Sequence, residues 1–297
     1  MQIKDCIQKT AEKIITGCTM KVILSRKGFD SANGGIVSPI FEDGTMLSFP
    51  IPSKEHEKDK IRYADLVCNG ISLSNILRDL GYKGDECCHL DPDLDGSRRK
   101  NAIKGWKPAF GQINQSSSYL INKGIGKGDL FLFFGNFQHI KEVDGTYKYV
   151  HRMKTTTDEY YGRQIQAIWG YLQIEDIISD PEEQKQFFWH PHACEKRIYD
   201  EKNNLIFTAA EHLSFAPDMP GCGLLNYDKK RVLSMPGKPK ATWKNHEAYN
   251  LNNIESNRKN SAKNGIGIYY AGIWQELVLK ENAITEEWAK SMLKCAK

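Results

Sequence analysis

Two short polar segments of this chain have the make-up of a reaction centre. In His89-Leu90-Asp91-Pro92-Asp93 an imidazole and two carboxylates occupy alternate positions, so an extended backbone would project His89, Asp91 and Asp93 to one side. Such an oxygen-rich set suits a hard divalent cation, Mg²⁺ or Mn²⁺, better than Zn²⁺. Asp91 and Asp93 are therefore candidate metal ligands, and His89 a candidate acid or base. The segment also spells turns, through Asp91-Pro92 and Asp95-Gly96, and a turn is the better account of Asp95. An EF-hand is excluded because the later ligands of that loop are missing. His190-Pro191-His192 sets two imidazoles around a proline that holds the chain extended. One could bind a cation while the other moves a proton.

A third segment suits phosphate. Residues 20 to 24 form a β-branched run that ends in Ser25-Arg26-Lys27-Gly28-Phe29-Asp30, which delivers a hydroxyl, two cations and a carboxylate to a strand end with a flexible turn. Ser25, Arg26 and Lys27 could hold a phosphate there, and Asp30 could bind a metal or accept a proton. In the plainer alternative Asp30 caps the turn and the cations face water.

These groups need a framework. Apolar spacing predicts a helix over residues 72 to 80, started by Ser72 and stopped by Gly81, a second over 112 to 122, and a last one to residue 293 capped by Thr285. Strands are expected over 130 to 134, which is wholly apolar and suits a central position, over 147 to 151, over 164 to 178 as one long or bent strand, over 205 to 208 and over 266 to 279. Residues 36 to 41 and 46 to 49 read as a hairpin across Glu42-Asp43-Gly44. Residues 182 to 203 read as irregular. The class is α+β, one mixed domain over residues 20 to 297 with peripheral helices, and residues 1 to 19 form a helical extension or a misplaced start. The stretch 112 to 178 has a weak likeness to the small PUA-type barrels that bind nucleic acid.

Composition narrows the partners. The net charge of +4 is too small for a protein that holds nucleic acid by charge alone. Two basic stretches, from Arg98 to Lys107 and from Lys229 to Lys244, each carry a tryptophan, Trp106 and Trp243, a combination that suits a polyanion with stackable bases. Eight cysteines with no Cys-x-x-Cys pair argue for reduced thiols rather than a disulfide framework or a structural zinc site, with Cys222, between two glycines, the one to watch. No Walker motif occurs, and the glycines at 124, 126 and 128 follow a helix where a dinucleotide loop follows a strand. No segment is suited to span a bilayer, and a cytoplasmic location is expected.

The order of Ser25-Arg26-Lys27-Gly28-Phe29-Asp30, Ser38-Pro39-Ile40, Phe49-Pro50-Ile51-Pro52, residues 89 to 94, Gly111-Gln112, residues 128 to 135, Gly170-Tyr171-Leu172-Gln173-Ile174, His190-Pro191-His192 and Trp274-Gln275-Glu276 resembles the third type of nucleotide modification associated domain of bacteria and phages. The resemblance implies a place in DNA base modification, with a nucleotide or nucleic acid as ligand and partner enzymes of a modification system. It brings Gln112 and Gln275 in beside Ser25, Arg26 and Lys27 as substrate-holding candidates. Two functions then compete. One is an enzyme using Asp30, His89, His190 and His192 as its acids and bases. The other is a non-catalytic reader of modified bases that stacks them on Phe133, Phe134, Trp169, Tyr171 or Trp106.

Overall fold

A computed structural model describes residues 20–53, 55, 57–255, 268–269 (as backbone) and 275–294. The expected N-terminal helix, Trp274 and the early part of the strand over 266 to 279 lie outside them. The chain is α+β, built around one nine-stranded sheet among the described residues. Its strands are β1 (Val22–Arg26), β2 (Ser38–Ile40), β3 (Ala109–Gln112), β4 (Leu130–Val143), β5 (Thr146–Tyr149), β6 (Ile165–Ile178), β7 (Leu205–Ala209), β8 (Cys222–Leu224) and β9 (Glu276–Val278). The order is β9-β1-β4-β6-β7-β3, with β2 and β5 paired to β4 and β8 paired to β6.

At the centre, β1 runs parallel to β4, with Val22 opposite Leu130, and antiparallel to β9, with Ser25 opposite Glu276. Side chains of these strands alternate between two cores, as the period of a strand requires. Val22, Leu24, Leu130, Leu132 and Phe134 join Trp243 and Trp288 on one face; Ile23, Phe131 and Phe133 join Phe110, Trp169 and Phe207 on the other. With both faces covered, a continuous apolar run such as residues 130 to 134 is what a central strand needs.

Helices α1 (Leu73–Asp79), α2 (Asn114–Asn122), α3 (Pro181–Lys185), α4 (Glu195–Asp200) and α5 (Ala283–Leu293) are peripheral. α5 packs Trp288, Ala289, Met292 and Leu293 onto the first core. Its cap is Asn282, whose side chain accepts from Thr285 N–H, so Thr285 sits inside the first turn instead of capping it.

Several expectations need correction. Gln112 closes β3, and the second helix starts two residues later. Residues 38 to 40 do not form a free-standing hairpin; they join the sheet parallel to β4, with only a bridge from Ile40 to Met46. Strand β4 runs on to Val143 because Asp144 and Gly145 both take positive φ, 53° and 73°, the backbone of a tight hairpin turn into β5. Residues 182 to 203 contain α3, a 3-10 turn at Pro191–Ala193 and α4. The sheet is not a closed barrel. Its end strands β9 and β3 share no backbone ladder, yet the Gln112 amide donates to the Glu276 carboxylate, so the sheet is curled enough for its two edges to touch. A register shift between Ile168 and Gly170 in β6 supplies local bending of the kind a bulge introduces.

One buried group away from this region makes stability depend on pH. The His139 ring, on β4, packs 4.8 Å from Tyr161 and 4.7 Å from Tyr227, and its Nδ1 has no hydrogen-bond partner. Burial lowers its pKa against the opposing pull of Asp158. The unfolded chain therefore takes up this proton more readily, and stability is lost as pH falls through the unfolded value near 6.5, at no more than about 1.4 kcal/mol per pH unit for one site. The urea midpoint of His139→Phe is expected to fall less than that of wild type between pH 7.5 and 5.5. Parallel slopes would refute this. The lowered His246 acts in the same direction and keeps the variant's slope above zero.

Candidate functional site

The C-terminal end of β1 opens onto a cleft of about 340 Å³. Gly28, at φ +92°, turns the chain away there, and a Cβ at that position would stand 2.4 Å from Ser48 Oγ, so the turn needs glycine. Arg26, Lys27 and Asp30 line one part of the cleft, Gln112 and Gln275 another, and His89, Asp91 and His192 a third. These residues come from five separate stretches of the chain. The segment with His89 reaches the cleft because Ile51 pairs with His89, and Cys88 N–H bonds to Ile61 O. His192 reaches it through the 3-10 turn, a tighter backbone than the extended one expected, in which the His190 ring nitrogen Nδ1 accepts from His192 N–H at 3.2 Å.

The imidazoles and the carboxylate are oriented by partners behind them. Asp59 Oδ1 lies 3.0 Å from His89 Nδ1. A carboxylate only accepts, so His89 donates from Nδ1 and turns Nε2 to the cleft. Asp59 is itself gripped by Arg197, which donates to both of its oxygens at 2.8 and 2.9 Å. Burial opposes the charge of Asp59, but His89 and Arg197 hold its carboxyl well below the usual carboxylate range. His192 Nδ1 lies 2.8 Å from Asn204 Oδ1, and the Asn204 amide nitrogen donates to Gln184 Oε1 and His192 O. That network fixes the amide, so His192 also donates from Nδ1 and turns Nε2 inward. Burial pushes the His192 pKa down to about 3 against the attraction of Asp91, which keeps the ring neutral.

Asp91 stands between them. Its Oδ1 accepts from Gly111 N–H at 2.7 Å and is approached to 3.2 Å by His190 Nε2. Its Oδ2 lies 3.8 Å from His89 Nε2 and 3.9 Å from His192 Nε2. Burial disfavours the charge, but His190 and Lys27 outweigh it and keep the carboxyl well below its ordinary range. Ligand atoms of His89, Asp91 and His192 all lie within 4.8 Å of one another, so these three residues could hold a cation.

Asp93 does not join them. Arg99 donates to its Oδ2 at 2.6 Å and Trp106 Nε1 at 2.9 Å, so the pairing of Asp91 with Asp93 around one ion gives way to an internal clamp. Ser25 is fully buried and donates to Glu276 Oε1 at 3.1 Å, behind the cleft rather than in it. His190 is buried and serves as cap and neighbour to Asp91. Asp30 takes the plainer role, accepting from Ala32 N–H and Asn33 N–H, with its other oxygen 3.2 Å from Arg26. Gln275 is exposed, and its carbonyl accepts from Arg26 N–H.

Glu276 is the acid that the sequence reading passed over. Its Oε1 lies 3.4 Å from Lys27 Nζ and accepts from Ser25 and Gln112, while Oε2 has no partner. Burial raises its pKa against the pull of Lys27. A glutamate beginning the apolar run Glu276-Leu277-Val278 was the available signal. Asp59, Arg197 and Asn204 carried none, being single polar residues far apart in the chain.

The arginines of the two basic stretches are engaged internally, whereas Lys100, Lys104, Lys107, Lys229 and Lys238 are exposed. Arg98 donates to Met46 O, and Arg231 donates to Met292 O and Asn226 O. Trp243 is fully buried. A larger hollow of about 1440 Å³ is lined by Leu120, Ile125, Phe207 and Cys222 among others, without the polar cluster. Burial pushes the Cys222 thiol up to about 11, which leaves it inert as a nucleophile. The described cysteines are free thiols.

The family model described as nucleotide modification associated domain 3 matches residues 21–280. The chain belongs to that family. A nucleotide modification associated domain thus contains the whole cleft, from Arg26 to Gln275, and gives the chain a nucleotide-modification-associated role. No curated protein and no solved structure matches it. No helix among the described residues is long and apolar enough to cross a membrane.

Proposed function

We propose that this protein is an enzyme that modifies the base of a nucleotide, free or within DNA, in the cleft at the end of β1. The observation that supports the reading most directly is that one small hollow joins strand-end cations, Arg26 and Lys27, to a pair of imidazoles flanking the Asp91 carboxylate. In this reading Arg26 exchanges its Asp30 partner for substrate phosphate, and Gln112 and Gln275 hydrogen-bond the nucleotide. His89 and His192 turn their Nε2 atoms toward Asp91 at the reacting end, where each can accept a proton or hold a cation but not both at once. Asp91 orients them. The reader alternative is weaker, because Phe133, Phe134, Trp169 and Tyr171 are buried in the core and Trp106 is bonded to Asp93.

A mass-spectrometric nucleoside profile of DNA from cells carrying the wild-type gene, Asp91→Asn or no gene tests this. A nucleoside whose level differs in the wild type alone is expected. Identical profiles, in a host whose DNA is modified, would sink the enzymatic reading and favour the reader.

A further inference from the structure

We infer that His89, Asp91 and His192 form a mononuclear site for a d-block divalent cation of the Fe²⁺, Mn²⁺, Co²⁺ or Zn²⁺ kind, not for Mg²⁺. Among the described residues this is the one group of three or more His, Cys or carboxylate side chains whose ligand atoms close on one another. What separates it from a chance cluster is the ring of partners behind it. Each imidazole is anchored through Nδ1, His89 by the Asp59 carboxylate and His192 by the Asn204 carbonyl, so that each presents Nε2 to the same carboxylate oxygen. Asp91 is anchored through its other oxygen by Gly111 N–H and leaves Oδ2 toward both rings. An imidazole held at its far nitrogen by a carboxylate or amide is the usual support of a metal ligand.

The distances allow it. Nitrogen and oxygen ligands about 2.1 Å from a common ion stand about 3.0 to 3.4 Å apart, so the separations of 3.8 and 3.9 Å from Asp91 close with a movement of roughly half an ångström, and that between the two rings, within 4.8 Å, with one of up to about 1.5 Å. The donor set decides the ion. Mg²⁺ prefers oxygen alone, whereas two imidazoles and one carboxylate suit borderline d-block ions. Three protein ligands at the wall of a cleft also leave coordination positions open to solvent or substrate, which distinguishes the site from a closed structural zinc centre.

Titration of the purified full chain with Co²⁺, followed by its visible absorption, tests the site without any nucleotide, so the outcome is separate from that of the proposed activity. One equivalent is expected to bind, with Zn²⁺ displacing it and millimolar Mg²⁺ leaving it in place. His89→Ala and Asp91→Asn should each weaken binding by at least about 100-fold, while His212→Ala, an exposed histidine elsewhere, should not. Should the alanine variant fail to fold, His89→Gln takes its place in the same comparison. Absence of a stoichiometric complex, equal affinity of wild type and His89 variants, or displacement by Mg²⁺ at equal concentration would overturn the assignment.

Discussion

Gly111→Ala is expected to lower the proposed base-modifying activity by about 100-fold, the penalty for moving a reacting group by an ångström, although it removes no polar atom. A Cβ at Gly111 would stand 2.2 Å from both Cγ and Cδ2 of His192. The strand cannot yield easily, because Gly111 lies opposite Ile206 in the ladder with β7 and its N–H holds Asp91. The ring has to move, and moving it breaks the bond to Asn204. Overpacking of this kind costs about 1–3 kcal/mol, which a thermal melt will register as a modest drop. The DNA nucleoside profile and the Co²⁺ titration should both collapse toward those of Asp91→Asn. A variant that keeps wild-type cation affinity would show that His192 is not where the chemistry happens.

The largest stability effect is expected from Asp59→Ala. Arg197 and Asp59 are only 7% and 3% exposed, and Arg197 donates to both carboxylate oxygens. Removing the acid leaves a guanidinium buried without its counter-charge, which costs about 3–5 kcal/mol. Replacing the pair together, Asp59→Leu with Arg197→Met, should recover a substantial part of that loss, since a buried ion pair seldom outperforms apolar groups of similar volume. Function should not return with it, because His89 has lost the acceptor that keeps its proton on Nδ1. Urea unfolding measures the first effect and the Co²⁺ titration the second. A single variant that loses less than about 1 kcal/mol would contradict the role given to the pair.

The two variants show where sequence reasoning reached and where it stopped. That His89, Asp91, His192, Arg26 and Lys27 line one cleft could be anticipated because each lies in a short polar segment at the edge of an apolar run, where few structural duties compete. Asp93 was misjudged for the same reason. Alternation in the sequence puts it beside Asp91, but its neighbours Arg99 and Trp106 supply donors that neutralise it. Asp59, Arg197 and Asn204 were invisible because their meaning is a long-range contact; Arg197 and Asp59 are 138 residues apart. The central strands could be read from β-branched and aromatic runs, whereas the length of β4 depended on a turn at Asp144 and Gly145, and the place of Gln112 on a strand on its pairing with Leu205.

The contact between Ser25 and Glu276 joins residues 251 apart in the chain. Lys27 meets Glu276 only where β9 pairs with β1, and pairing of such distant segments forms slowly. A nascent chain on the ribosome therefore cannot seat Lys27 against Glu276 until residues 276 to 278 have emerged.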